Sequence, residues 1–341
     1  MWQLNKFRLI AVFVCILWQS TSFGVEQRID GAGGYYQDKV VKVYIASLGY
    51  SLLAKDLIDI QGVSSNLSFN YLHKDIQPAS KDQTSLDFKG RDKIEQKSYD
   101  FGFDQGIFVG TDLGVFYGWV EGPFATSKWY GIRANQWFYD ETIKLSLSLR
   151  KNFTEQESSD YTDLDGKRIV TPENIEGDNI TLSLFSFLST DTIFMTDYSV
   201  TKSSNRPDVW SLGAQIRQYI RPFYGSVHIS QAHYENVGVI EPVTEYGTII
   251  ADTTTIEWHQ KLFRQWVLMG GYRFFKEDER PRANSNQINR TGSDYVYSSL
   301  RYRFSKLWTH QSSEISALAG RYLTNSASGG VIYSLGGKVF F

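Results

Sequence analysis

Hydrophobic residues recur at every second position over most of the chain. The plainest stretch is 142–150, where Ile143, Leu145, Leu147 and Leu149 alternate with Lys144, Ser146, Ser148 and Arg150. Successive side chains of a strand point to opposite faces, so this pattern predicts a strand with one apolar and one polar face. The same test predicts strands over 98–107 (Tyr99, Phe101, Phe103 and Ile107 against Asp100 and Asp104), 113–119, 129–138 (Tyr130, Ile132, Ala134 and Phe138 against Arg133) and 179–188. Further along it predicts 209–220 (Trp210, Leu212, Ala214, Ile216 and Ile220 against Gln215 and Arg217) and 254–262 (Ile256, Trp258 and Leu262 against Glu257, His259 and Lys261). It also predicts 266–275 (Trp266, Leu268, Tyr272 and Phe274 against Arg273) and 295–304 (Val296, Leu300, Tyr302 and Phe304 against Arg301 and Arg303). Segments 39–52, 191–202 and 312–324 read as strands without a clear apolar face. Helical periodicity is absent after residue 24.

Connections between these strands alternate in length. Short ones fall at 53–57, 110–112, 140–141, 190–191, 221–223, 264–265 and 305–311; long polar ones fall at 75–94, 154–178, 237–252 and 278–293. A soluble sandwich has no reason to gather its long loops at one end, whereas a transmembrane barrel has short turns on one side and long loops on the other. Fifteen strands follow residue 39, and single-chain bacterial barrels have an even number, so 25–37 is taken as a sixteenth. The fold class is therefore all-β, a transmembrane antiparallel up-and-down β-barrel of sixteen strands, with fourteen as the alternative. An Arg or Lys facing the bilayer at mid-depth costs about 2–4 kcal/mol, which turns the charged faces toward the lumen.

Composition sharpens this picture. The chain has 341 residues and a net charge of −2, so no field argues for nucleic acid. Its mean hydropathy is negative, as expected when lipid-facing and lumen-facing residues alternate. Residues 1–24 read as a secretory signal: Lys6 and Arg8 precede a short apolar run from Leu9 to Trp18, and Ser22-Phe23-Gly24 offers a cleavage site. The barrel then occupies 25–341. The sole cysteine, Cys15, lies in the signal, so disulfide and thiol chemistry are not expected in the barrel. No later apolar run is long enough for a membrane helix.

Residues 329–341 form a last strand in which Val331, Tyr333, Leu335, Val339 and Phe341 share one face. The segment Ser334-x-Gly336-x-x-Val339-x-Phe341 resembles the C-terminal assembly signal of bacterial outer-membrane proteins. That resemblance implies location in the outer membrane, contact with its lipid, and recognition by the barrel assembly machinery. The chain as a whole resembles such barrels. More narrowly, its tyrosine-rich strands and the Asn205-Arg206-Pro207-Asp208 turn are similar to an outer-membrane barrel family known as a domain of unknown function. Homo-oligomerisation is left open.

Candidate chemistry sits on the polar faces. Asp100, Asp104, Arg133, Lys144, Arg150, Arg217, Glu257, His259, Lys261, Arg273, Arg301 and Arg303 are the candidate lumen-lining residues, with Lys338 and Asp197 beside them. Positive charge prevails, which fits a water-filled pore attracting anions. The alternative is that these charges pair across strands or with loop acids and fill the bore. His228, His233 and His259 are candidate metal-binding or catalytic groups, but no motif marks a nucleophile, and the pattern assigns no cofactor, metal or catalytic residue. The carboxylates of Asp160, Asp163 and Asp165 beside Gly166 read as a solvated turn rather than a calcium loop. Aromatics at strand ends, among them Tyr35, Tyr36, Trp119, Trp129, Trp137, Trp266, Trp308 and Tyr333, fit interfacial belts. The expected function is a porin-like channel for passive diffusion of small polar solutes, not an enzyme. The alternatives are a plugged scaffold barrel, or a barrel enzyme acting on lipid or glycan through a Ser–His pair.

Overall fold

The computed structural model of the chain describes residues 25–37, 41–55, 64–78, 93–122, 125–156, 160–162, 168–170, 174–204, 206–237, 246–281, 289–304, 313–323 and 330–340. Nearly all of them are strand. The first seven strands are β1 (Val25–Gln37), β2 (Val41–Lys55), β3 (Ser64–Pro78), β4 (Ile94–Phe108), β5 (Thr111–Glu121), β6 (Ala125–Phe138) and β7 (Ile143–Gln156). A short hairpin follows, β8 (Asp160–Thr162) with β9 (Arg168–Val170). Then come β10 (Asn174–Ser189), β11 (Thr192–Ser203), β12 (Arg206–Ile220), β13 (Gly225–Val237) and β14 (Tyr246–Lys261). The last four are β15 (Trp266–Pro281), β16 (Asn289–Arg303), β17 (Glu314–Tyr322) and β18 (Val331–Phe340).

Without β8 and β9, these strands form one closed antiparallel barrel of sixteen, each paired with its neighbour in sequence. Closure is made by β1 against β18, from Arg28 opposite Phe340 to Gln37 opposite Val331. The strand 25–37 needed for an even count is therefore the one that completes the ring. Residues 1–24, Trp308, Phe341, Asp163, Asp165 and Gly166 lie outside the described residues. No helix among the described residues is long and apolar enough to cross a membrane, which says nothing against crossing by strands.

The apolar face points outward. Val115 and Ile132, opposite each other on β5 and β6, are each 55% exposed. Leu145, Leu147 and Leu149 are exposed in the same way, as are Leu182, Leu212, Ile256, Leu268 and Leu300. The buried hydrophobic residues among those described are Val43, Ala54, Ile175 and Tyr295, too few for a core. A water-soluble protein does not expose a belt of this extent, and two stacked sheets would have hidden it. The exterior is wetted by lipid.

Strands run further than the apolar pattern does. β15 continues through Glu277 and Asp278, and β3 continues through Asp75 to Pro78, stretches the sequence pattern assigned to loops. Above the lipid both faces meet water, so alternation disappears while the hydrogen-bond ladder persists. Polar side chains take over there: Lys276 pairs with Asp278 at 3.0 Å and Lys151 with Glu176 at 3.6 Å. The strands with no clear apolar face also resolve. β17 turns Ile315, Ala317 and Ala319 outward and Leu318 inward, a pattern too weak in contrast to read from hydropathy.

Small outward residues leave a depression beside the closing pair. Gly33, Ala46, Ala317 and Ala319 floor an exterior groove of about 830 Å³, with Tyr44 and Leu335 among its walls. Aromatic rows flank the lipid belt. On one side Tyr71, Tyr99 and Trp119 form a continuous row, with ring centroids 5.1 and 4.6 Å apart. On the other, Trp266 meets Tyr302 at 4.7 Å.

The face assignment predicts a sharp contrast between neighbours. Leu147→Arg should lower stability in lipid vesicles by about 2–4 kcal/mol, while Ser146→Arg should change it by no more than about 0.5 kcal/mol. Urea titration of tryptophan fluorescence in refolded barrels measures both.

Candidate functional site: the lumen wall

Pairing register fixes which residues share the inner face. Asp100 and Asp104 on β4, Arg133 on β6, and Lys144 and Arg150 on β7 lie opposite the lipid-facing set. Arg217 on β12, Glu257, His259 and Lys261 on β14, Arg273 on β15, and Arg301 and Arg303 on β16 do the same. Of the assembly segment, Ser334 and Gly336 face inward and Val339 outward.

One device recurs on this wall: an acid on one strand, a glycine opposite it on the next, and a donor opposite the glycine on the strand after. Asp104 faces Gly114, which faces Arg133. The guanidinium crosses the glycine to make a two-pronged pair with Asp104. Asp100 faces Gly118, which faces Trp129, and the indole N–H donates to Asp100 at 3.1 Å. Glu257 faces Gly271, which faces Tyr297, and the phenol donates to Glu257. A Cβ on Gly118 would lie 2.6 Å from both Asp100 Oδ1 and the Trp129 ring, and one on Gly271 would collide with the Tyr297 ring. The absence of a side chain in the middle position is what lets the outer two meet. Large side chains thus lie flat along the wall instead of projecting into the bore.

Three aromatic assignments need correction. Trp129 and Trp137 belong to the lumen, not to an interfacial belt: Trp129 is spent on Asp100, and Lys144 Nζ sits 5.6 Å from the Trp137 ring centroid. Tyr36 also faces inward, in edge contact with Tyr322 at 5.8 Å. Strand-end position suggested a belt, but face parity decides, and the polar groups opposite could be recognised once register was known.

Charges on the wall are partly paired. Besides Asp104 with Arg133, Arg28 meets Asp30 at 2.8 Å, and Glu314 lies 4.0 Å from Arg301 and 3.7 Å from Arg303. Among the described residues, Lys144, Arg150, Arg217, Lys261, Arg273 and Lys338 form no ion pair. A polar cavity of about 440 Å³ opens inside the barrel, lined by Arg28, Asp30, Asn70, Asp104, Asn135 and Lys144.

The histidines separate. His233 lies on the outer face, bonded to Asp252 at 2.8 Å and packed on Trp210. His228 and His259 meet on the inner face with Glu257 between their ring nitrogens. His259 Nε2 is 3.0 Å from Glu257 Oε2, His228 Nδ1 is 3.8 Å from the same oxygen, and the two rings stack with centroids 3.8 Å apart. Ser226 Oγ is 2.9 Å from His228 Nε2.

No family model matches the chain, so the narrower likeness to a domain-of-unknown-function family has no match behind it, and no curated protein matches either. Among solved structures the chain is similar to a bacterial polysaccharide outer membrane secretin, with a TM-score of 0.55 and 10% identity over 94% of this chain and 99% of that one. It is also similar to CdiB from Acinetobacter baumannii, with a TM-score of 0.60 and 11% identity over 93% of this chain and 60% of that one. The fold is that of a bacterial outer-membrane β-barrel. At this identity the likeness concerns the fold, and one fold hosts many functions.

The glycine-spanned contacts generate a test. Arg133→Ala and Gly114→Val each remove the Asp104 contact and should each cost about 1–3 kcal/mol. Because both act on one interaction, the double variant should cost clearly less than the sum. Urea midpoints of the four proteins in detergent give the cycle.

Proposed function

We propose that this outer-membrane barrel is a porin-like channel for passive diffusion of small polar solutes, with a preference for anions. The observation that carries the proposal is the asymmetry of charge on the inner face. Asp104 and Asp100 are engaged by donors on the wall, as are Glu257 and Glu314, while Asp112 and Asp197 are not and are outnumbered by the cations. Lys144, Arg217, Lys261 and Arg273 form no ion pair with a carboxylate among the described residues. Cationic groups lining an aqueous passage raise the local concentration of anions. Asp100, Arg133, Arg301, Arg303 and His259 complete the proposed lining. A barrel of sixteen strands has room for an aqueous channel, which an eight-stranded one lacks.

The enzyme reading requires a Ser–His pair, and Ser226 with His228 supplies one at 2.9 Å. The rest of a hydrolase is missing from that place. The 3.8 Å from His228 Nδ1 to Glu257 is too long for the orienting hydrogen bond, and Glu257 is engaged by His259 and Tyr297. In a barrel strand the backbone N–H groups serve the ladder and are not free to bind an oxyanion. Residues 1–24 are proposed as the export signal. Ser334, Gly336, Val339 and Phe341 are proposed as the segment that the barrel assembly machinery reads.

Planar-bilayer recording tests the channel. Wild-type barrel should give discrete conductance steps, and in a potassium chloride gradient the reversal potential should take the sign of chloride preference. Lys144→Glu combined with Arg150→Glu should move that potential toward cation preference. A refolded barrel with no conductance would remove the proposal.

A further inference from the structure

We propose that His228, Glu257 and His259 form a zinc-binding site on the lumen wall, with Ser226 and Tyr297 as its supporting groups. The inference does not depend on whether the barrel conducts. His228 on β13 and Glu257 on β14 stand directly opposite each other, and His259 follows Glu257 by two residues, so all three project from one patch of the inner face. Their ligand atoms all lie within 4.8 Å of one another. Two ligands of a tetrahedral zinc, at about 2.0–2.1 Å from the metal, sit roughly 3.3 Å apart. The separations from Glu257 Oε2, 3.0 Å to His259 Nε2 and 3.8 Å to His228 Nδ1, straddle that value. Two imidazoles and one carboxylate suit zinc and its neighbours in the first transition row, not magnesium or calcium.

The surrounding hydrogen bonds are those a metal site needs. Ser226 occupies Nε2 of His228, which leaves Nδ1 to face Glu257. Tyr297 donates to Oε1 of Glu257, which leaves Oε2 for the shared centre. Such outer contacts fix ligand orientation and tautomer. Tyr297 reaches Glu257 across Gly271, so the glycine belongs to the same arrangement. His228 is 5% exposed, which keeps one face of the centre dry. The stacked rings must hinge apart for both lone pairs to converge on one ion. The Cβ–Cγ torsion of histidine is soft enough for that. The fourth position then faces the lumen and water. Arg217, opposite His228 on β12, adds positive charge nearby, so the bound ion favours an anionic fourth ligand such as hydroxide or a solute carboxylate.

Zinc chloride titrated calorimetrically into the purified, refolded full-length barrel without a histidine tag tests the site. One equivalent should bind at micromolar zinc, and cobalt(II) in its place should give the visible absorption of a four-coordinate ion. His259→Asn and Glu257→Gln should each weaken binding at least about 100-fold, and Tyr297→Phe, which keeps all three ligands, about 10-fold. His73→Asn, in the outer-wall cluster with Asp75 and Glu95, should leave that equivalent in place. Heat-modified gel mobility confirms that each variant is a folded barrel, and Tyr297→Phe keeps the test informative if a ligand variant is not. Failure of wild type to bind zinc, binding that survives both ligand substitutions, or binding lost in His73→Asn would overturn the proposal. Labelling of Ser226 by a fluorophosphonate without zinc binding would also overturn it, in favour of a hydrolytic triad.

Discussion

In hydrocarbon no water completes the hydrogen bonds of an open sheet edge, so a spanning sheet must close on itself. The pairing of β1 with β18 meets that constraint, and the rest of the molecule follows from it. Once the ladder is continuous around the ring, the wall needs no packed centre to satisfy its backbone. Apolar side chains turn to lipid, and the interior is released for polar groups. This is why so few hydrophobic residues are buried in so large a structure, and why charged side chains can stand inside it without the desolvation a globular core would impose.

Sequence periodicity carried the fold because lipid imposes a strict two-residue rule on every strand. Ile143 to Leu149 against Lys144 to Arg150 is legible without any knowledge of neighbours. Where lipid ends, the rule ends, and the polar upper parts of β3, β14 and β15 looked like loops. β17 was hard for a different reason: alanine outside and leucine inside give almost no contrast. Site geometry was less accessible. Arg133 and Asp104 could each be assigned a face, but not to each other, because their meeting depends on two registers and on Gly114 between them. Trp129 misled for the same reason, since its indole partner is two strands away. His228 and His259 were visible as residues, while their convergence on Glu257 required the β13–β14 register.

The glycine-spanned contacts connect wall and lumen. Each ties three consecutive strands together with side chains while using little of the bore. An acid held this way is neutralised locally, and the field that remains is set by cations such as Lys144 and Arg217. Wall cohesion and the balance of charge inside the barrel therefore depend on the same contacts. The charge inside is not a scatter of surface groups, since Asp100, Asp104 and Glu257 are fastened to the wall while Lys144, Arg217 and Lys261 are not.

The barrel is not equally tall all the way around. β17 and β18 have nine and ten residues, against sixteen in β10, β14 and β15, and the exterior groove lies beside this low side. The extra length of the taller strands is polar and stands above the lipid, so the apolar span of β18, from Val331 to Val339, matches that of β15, from Trp266 to Phe274. Acyl chains there must bend into the hollow over Gly33, Ala317 and Ala319. The lipid held against this sector therefore packs differently from lipid on a flat stretch of the wall.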